Sequence, residues 1–353
     1  MIGVGCSSPR GGGGGGSLSV GVSDASPNYG DTITITATPS GITPTSYTFL
    51  LPNKNGKYQE VTQAGNTYSW FVNNIGTDDV IVTCTAGLNS IEGNTSITTT
   101  LELPLTLGKA VFGYYKMISG YAGQWIRVRR IDTNSESDIA FVNGRGDLAG
   151  IATFVGTSAF VITKYYNQAS NGDFLQTTTN TQPRLIIDNQ NVSIEWFGLG
   201  NKRLNLTFTS GYALNETSTE YSVHRWNDQG SSNARVFADT SAVRQISSVS
   251  NNSLWYDGGV RGTTAATRTS KKHLYVAQAK TADPLFRRNG VNVPYISGTP
   301  SGFTAKAITN RELFGTSGGS FTANTNQWCY INDADDYSTA IENILISLYD
   351  VDV

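Results

Sequence analysis

An all-β protein of two modules behind a glycine-rich start is what this sequence predicts, and three observations predict it. Charged residues are sparse, at 15 % of the chain, while Gly (38 residues), Thr, Ser and Asn are plentiful, the usage of strands joined by tight turns. Short runs of alternating apolar and polar residues recur along the chain between turn residues, the period of a half-buried strand. A length of 353 residues is enough for two or three cores of ordinary size.

Residues 1–16 come first. Six successive glycines, Gly11 to Gly16, offer no side chain to bury and lose the most backbone entropy on ordering. Such a segment orders only against something else, so it reads as a tether and docking element. Met1, Ile2, Val4, Arg10, Gly11 and Gly16 are its candidate anchor residues.

From 17 to 103 the runs are Leu18-Ser-Val-Gly-Val22, Thr32-Ile-Thr-Ile-Thr-Ala37, Tyr47-Thr-Phe-Leu50, Tyr68-Ser-Trp-Phe-Val72, Val80-Ile-Val-Thr-Cys84 and Thr95 to Leu101. Six or seven strands at intervals of about 8–12 residues predict a small antiparallel sandwich. Trp70 is expected in its core. Cys84 is alone there, so no inter-sheet disulfide is available and burial must hold the sheets together. The order SPNYGDTITITATPSG, SYTF, YSWFV, NIGTDDVIVTCTAG, ITTTLEL resembles immunoglobulin-like modules of the PKD and bacterial Ig-like kind.

Residues 104–107 lie between Leu103 and Gly108 and read as a linker. From 108 to 353 strands are expected again, at Trp125-Ile-Arg-Val-Arg129, Ala159-Phe-Val-Ile-Thr163, Arg184-Leu-Ile-Ile187, Tyr221-Ser-Val-His224, Leu274-Tyr-Val-Ala277 and Ile344-Leu-Ile-Ser-Leu-Tyr349. A short helix or turn is expected over Gly146 to Phe154, packing Leu148, Ile151 and Phe154 inward. An antiparallel domain of this size predicts a large jelly-roll type sandwich.

Residues 111–187 carry a more specific signal. The string IRVRR, a polar turn, SDIAF, a helical turn, FVITKYYNQASNGDFLQ and a final QPR resembles the opening of the catalytic domain of fungal-type α-L-arabinofuranosidases. That resemblance implies a concanavalin-like sandwich related to laminin G modules. The same unit is similar to one found in bacteriophage structural proteins behind Ig-like modules and a Gly-rich start.

Retaining glycosidases need two carboxyls about 5–5.5 Å apart. The resemblance places the nucleophilic Glu at Ala234-Arg-Val-Phe-Ala-Asp-Thr240, where only Asp239 stands in, and the acid/base at Leu313-Phe-Gly-Thr-Ser-Gly-Gly-Ser320, which holds no carboxylate. The expectation is therefore a sandwich without enzymatic activity. Trp226, Asp228, Trp255, Tyr256 and Asp257 are the candidate glycan contacts, because a flat aromatic beside polar loop residues can stack a sugar and bond its hydroxyls. Trp328 and Tyr330 share that pattern, and core or interface aromatics are the competing reading for the whole set.

Other constellations have plainer explanations. Asp333, Asp335 and Asp336 place three carboxylates within four residues, a weak Ca²⁺ pattern that Tyr337 and Ser338 break; a solvated loop is preferred, and no metal is expected. His224 and His273 each stand alone in a strand-like run and read as satisfied strand histidines. Arg127 and Arg129 share one strand face, and pairing with Asp132, Glu136 or Asp138 accounts for them. The run DGGVRG, Asp257 to Gly262, is a hairpin turn by its glycines.

Cys6, Cys84 and Cys329 form no metal spacing and read as free thiols. A net charge of −2 without a basic block gives counterion release little to act on, so no nucleic-acid partner is expected. No run of about 18 apolar residues predicts membrane insertion, and no export signal is recognised.

Together with the resemblance, these readings imply a virion-surface structural protein made in the host cytoplasm: a head fibre, spike or tail fibre subunit. The implied partners are a capsid, penton or tail protein at the N-terminus, further copies of the chain with a trimer expected first, and a host-surface glycan or receptor. No cofactor is implied. The competing expectations are a glycoside hydrolase acting on surface polysaccharide and a bacterial cell-surface adhesin.

Overall fold

The computed structural model describes residues 16–54, 56–105, 108–179, 182–188, 191–196, 204–214, 219–225, 233–239, 245–249, 253–256, 259–262, 272–278, 285–293, 295–297, 306–313, 321–324, 329–333 and 337–351. The fold is all-β with two short helices among these residues. It divides into two compact units, Met1–Glu102 with Val142–Arg145, and Leu103–Phe141 with Gly146–Val353.

The first unit is an immunoglobulin-like sandwich of seven strands: β1 (Ser17–Val22), β2 (Thr32–Ser40), β3 (Ser46–Pro52), β4 (Tyr58–Gln63), β5 (Thr67–Phe71), β6 (Gly76–Ala86) and β7 (Asn89–Thr99). One sheet runs β1-β2-β5 and the other β4-β3-β6-β7. Alternation does what the sequence asks of it. Leu18, Val20 and Val22 of β1 face Ile33, Ile35 and Ala37 of β2 and Phe49, Leu51, Val80, Val82 and Cys84 of the other sheet, all in one buried cluster. Each Val, Leu, Ile or Phe side chain among them, fully buried, contributes about 1.5–3 kcal/mol. Trp70 is buried, as expected, and Cys84 is a buried free thiol. The β6–β7 hairpin closes through Gly87 and Leu88, with Gly87 at φ +63°, a value that glycine adopts without a Cβ penalty. Strand β4, YQEVTQ, is missing from the runs read in the sequence. It is an edge strand with an exposed, polar burial pattern, so no apolar alternation marks it.

The second unit contains β8 (Gly108–Gly113), β9 (Ile126–Arg130), β10 (Glu136–Ile139), α1 (Leu148–Val155), β13 (Phe160–Tyr165), β14 (Phe174–Leu175), β15 (Arg184–Asp188), β16 (Asn191–Trp196) and β17 (Leu204–Leu214), while the two-residue strands β11 (Phe141–Val142) and β12 (Arg145–Gly146) each have one residue in either unit. It continues with β18 (Thr219–Arg225), β19 (Asn233–Asp239), β20 (Gln245–Val249), β21 (Ser253–Tyr256), β22 (Gly259–Gly262), β23 (Lys272–Gln278), β24 (Leu285–Arg288), β25 (Val291–Asn292), β26 (Tyr295–Ser297), β27 (Lys306–Leu313), β28 (Phe321–Asn324), β29 (Cys329–Asp333) and α2 (Thr339–Leu348). A six-stranded sheet, β25-β24-β23-β18-β29-β8, accompanies a larger one built around β17, β14, β13, β15 and β16, with β9 and β10 joined to β13.

Aromatic rings bring the two sheets face to face. Phe112 of β8 lies 4.5 Å from Phe174 of β14 and 5.9 Å from Tyr165 of β13, centroid to centroid, and Tyr330 of β29 lies 6.3 Å from Phe174. These separations fall in the range where edge-to-face and tilted pairs are favourable.

Two expectations are corrected. Ile344 to Tyr349, read as a strand, lies almost wholly in helix α2. A continuous apolar run does not reveal its own period; here Ser338 caps the helix by accepting from the Ile341 N–H at 3.4 Å, and Ile341, Leu345 and Leu348 form the buried stripe. Helix α1 lies where a helical turn was expected, capped by Asp147 accepting from Gly150 N–H at 2.8 Å. Its buried residues are Ile151 and Val155, whereas Leu148 and Phe154 are half-buried. The i, i+4 pair rather than an i, i+3 ladder faces inward.

Candidate functional site

The recognisable string of residues 111–187 opens the second unit, and several of its polar side chains bond within the fold. Asn167 and Gln168 are both buried. Asn167 Oδ1 accepts from the Val111 and Ala169 N–H groups, each at 2.9 Å. Gln168 Oε1 accepts from Met117 N–H at 2.7 Å and Ile118 N–H at 3.3 Å, while its amide donates to the Tyr115 carbonyl at 2.9 Å. Three backbone groups of residues 115–118, the Met117 and Ile118 N–H groups and the Tyr115 carbonyl, are thereby satisfied, as burial requires. Trp125 donates its indole N–H to the Tyr165 hydroxyl at 2.8 Å, and burial pushes that phenol well above its ordinary pKa.

The arginines of IRVRR divide. Arg127 makes a bidentate pair with Asp138, Nε to Oδ1 at 2.6 Å and Nη2 to Oδ2 at 2.8 Å, and Glu136 stands 3.9 Å from Nη1. Arg130 pairs with Asp132 at 2.6 Å. Pairing with these acids was expected. Arg129 departs from the expectation of a shared exposed face: it is 8 % exposed, with Nε and Nη2 both donating to Gln182 Oε1 at 2.9 and 2.6 Å and Nη1 donating to Asn134 Oδ1. The loop before β15 lies over Arg129, a tertiary fact that strand alternation cannot carry.

Around Arg127 the outer face of β9, β10 and β13 forms a polar platform. The Tyr166 hydroxyl donates to Asp138 Oδ1 at 2.6 Å, Lys164 pairs with Asp173 at 2.8 Å, and the Lys164 ammonium sits 4.4 Å over the Tyr166 ring. The hydrogen bond from Arg127 is the largest influence holding the Asp138 carboxyl below the usual range. Partial burial pushes the Tyr121 hydroxyl up to about 12, with Asp173 adding to the shift.

Two buried glutamates were not singled out in the sequence. Glu342 is 1 % exposed, paired with Arg287 at 3.1 Å, and accepts from the Tyr337 hydroxyl. Glu220 is also 1 % exposed and accepts from the Tyr330 hydroxyl at 2.7 Å. No local pattern marks either one: each sits in an ordinary strand or helix run, and Tyr330 and Arg287, which pair with them, lie far off in the chain.

The sequence-stated candidates fall as follows. Trp226, Asp228, Asp257, Asp335 and Asp336, and the anchor residues Met1, Ile2, Val4, Arg10 and Gly11, lie outside the described residues, as do Trp328 and Cys6. Trp255 and Tyr256 are on β21, in register with Val260 and Gly259 of β22, which is the hairpin expected of DGGVRG. Gly16 immediately precedes β1, where a Cβ would stand 2.9 Å from the Ser40 carbonyl oxygen. Asp333 pairs in register with Thr219 and with Gly108, and Asp239 with Arg311. Tyr330 is fully buried. Cys329 is a buried free thiol whose pKa burial pushes up to about 12. Among the described residues, no three His, Cys, Asp or Glu side chains gather as metal ligands, and no helix is long and apolar enough to cross a membrane.

No protein-family model matches the sequence, and no curated protein sequence matches it. Among solved structures, a GH54 α-L-arabinofuranosidase soaked with a cyclic sulfate inhibitor is similar over 69 % of this chain and 63 % of its own, with 10 % identity and a TM-score of 0.47. An arabinofuranosidase complexed with arabinofuranosyl-α-1,2-xylobiose covers the same shares, with 13 % identity and a TM-score of 0.49. A Trypanosoma rangeli sialidase in complex with 2,3-difluorosialic acid is similar over 90 % of this chain and 51 % of its own, with 9 % identity and a TM-score of 0.39. The chain thus spans less than two thirds of the length of each.

Proposed function

We propose that the chain is a surface attachment protein of a virus particle, in which residues 1–16 dock to a capsid, penton or tail protein, the Ig-like unit is a spacer, and the larger sandwich meets a host-surface glycan or receptor. The observation that carries this reading is how the recognisable string is used. Asn167, Gln168, Arg129 and Gln182 bond to backbone or to one another, so the resemblance to glycosidases is accounted for by architecture, with no chemistry required of those residues. A sandwich kept for its shape suits binding. Assembly as a homo-oligomer would multiply weak sugar contacts by raising the effective concentration of each further site.

A chain lacking residues 1–16, expressed during particle assembly, tests the docking role: it should fold and be absent from purified particles. Its incorporation at the level of the complete chain would overturn that role. Binding of the complete chain to an array of bacterial-surface glycans tests the attachment role, and silence across the array counts against it.

One observation favours hydrolysis as a second reading. Glu220 is a buried carboxylate on β18, hydrogen-bonded to Tyr330 across the sheet, and buried acids are a resource for acid–base chemistry. Release of sugar from an aryl-arabinofuranoside or a surface polysaccharide, abolished by Glu220→Gln, would establish it.

A further inference from the structure

The N-terminal segment joins the first unit at one end of its sandwich. Ser17, the first residue of β1, pairs with Ser40, the last of β2. A Cβ on Gly16 would stand 2.9 Å from the Ser40 carbonyl oxygen, with Ile91 Cδ1 and Ile42 Cγ2 at 2.5 and 3.1 Å, so a side chain there would collide with the β2 backbone. The β6–β7 hairpin, to which Ile91 belongs, turns at this same end, where Ala86↔Asn89 is its last rung. Thr45 donates its N–H and its hydroxyl to the Thr85 carbonyl at 2.7 and 3.1 Å. On the β4–β5 turn, Asn66 Nδ2 donates to the Ala37 carbonyl at 3.0 Å. The rim is thus braced in advance, which lowers the cost of binding anything to it.

Two features set this rim apart. The chain is 15 % charged, yet no Asp, Glu, Lys or Arg occurs at residues 16–17, 39–46, 64–66 or 85–91. The first charges met along β4 and β7 from this end are Glu60 and Glu92, opposite Leu50 and Thr83. The cores of protein interfaces are depleted of charge in this way. At the apex, Leu88 is the most exposed large hydrophobic side chain among the described residues. The turn does not ask for it: Gly87 supplies the positive φ of the first loop position, and the second suits Asn, Asp or Ser.

The chain beyond the rim identifies the occupant. Residues 1–10 connect to it through Gly11 to Gly16, six residues that reach about 20 Å at most when fully extended. A protein that holds residues 1–10 therefore stands beside the rim. Across so short a span the effective concentration of a second contact is in the millimolar range, and a small apolar contact adds to binding. Leu88, the half-buried Ile42 and Ile91, and Pro44 expose far less than the roughly 1,000 Å² that an independent interface between two copies needs.

We propose that the uncharged rim around Leu88, with Ile42, Pro44 and Ile91, is a second docking contact, seated in an apolar socket of the same virion protein that receives residues 1–16. The proposal rests on the docking role given to residues 1–16 and turns one end of the Ig-like unit from spacer into binding surface.

Particles of the virus that encodes the chain are assembled with Leu88→Glu, Leu88→Asn, Leu88→Met, Val291→Glu or the chain lacking residues 1–16, and copies per purified particle are counted by quantitative mass spectrometry. Leu88→Glu should lower occupancy at least about tenfold, as loss of an interface hot spot does. Leu88→Asn, which suits the turn, should lower it in the same direction, and Leu88→Met should retain it. Val291→Glu places the same charge at an exposed position of the second unit and should be incorporated normally. Isolated Leu88→Glu and Leu88→Asn chains should melt like the unaltered one, since the side chain is exposed. Full occupancy by both variants, with the truncated chain excluded, overturns this proposal and leaves the docking role of residues 1–16 standing. Incorporation of the truncated chain overturns both. Equal exclusion of Val291→Glu overturns the proposal as well. Self-association of the unaltered chain that Leu88→Glu abolishes in light scattering assigns the rim to a second copy and overturns it too.

Discussion

Arg129 and Gln182 lie 53 residues apart in sequence, yet Arg129 Nε and Nη2 converge on Gln182 Oε1 at 2.9 and 2.6 Å, with the guanidinium buried beneath the loop that carries the glutamine. Gln182 in turn donates to the Gln176 carbonyl at 2.9 Å. Gln182→Ala strips a buried cation of its principal acceptor and should cost about 1.5–3 kcal/mol. Arg129→Met in the same background should recover part of that loss, because it removes the charge that needs solvating. Urea denaturation of the unaltered chain and the two variants measures both effects.

Gln168 acts as a cross-brace. Gln168→Leu keeps the volume and leaves the Met117 N–H and the Tyr115 carbonyl without their side-chain partners. A loss of about 1–3 kcal/mol is expected for each backbone group that water cannot reach. Faster hydrogen exchange confined to residues 115–118 would locate the effect.

Trp70 is 3 % exposed in the core of the first unit, whose described residues contain no disulfide: Cys84 is a buried free thiol. Trp70→Ala should cost about 3–5 kcal/mol. Adding reductant should leave the melting temperature unchanged. A fall on reduction would reveal a disulfide that the described residues do not contain.

The hydrogen bond from Arg127 lowers the folded-state pKa of Asp138, so the pair's stabilisation is present above the unfolded-state value, about 3.9, and is lost as pH falls through the lower folded value. Thermal melts across the acid range should show this loss, and Asp138→Asn should flatten it. The pair is about one-third exposed on each side, so solvent screening keeps the effect small.

Period and turn chemistry made much of the fold legible. Alternation located most strands of the first unit and placed Trp70 in its core, the glycines of DGGVRG marked a hairpin, and the string from IRVRR to QPR announced the larger sandwich. Strand β4 escaped because an edge strand needs no apolar face, and α2 was mistaken for a strand because a run of consecutive apolar residues has no period. At the candidate sites less was legible, since register is a relation between distant segments. The facing of His224 and His273, the burial of Arg129 under Gln182 and the Glu220–Tyr330 bond all join residues tens of positions apart or more.

What the sequence alone determined is the all-β class and the succession of a small sandwich and a larger one. Those follow from local periodicity and composition, which each segment carries by itself. Only the tertiary structure decided which polar residues hold the scaffold from within, as Arg129 and Gln168 do, and which form ion pairs nearer the surface, as Arg127 does. That distinction depends on which strands pair, in what register and how far each extends, and burial and electrostatic cost are set by neighbours in space.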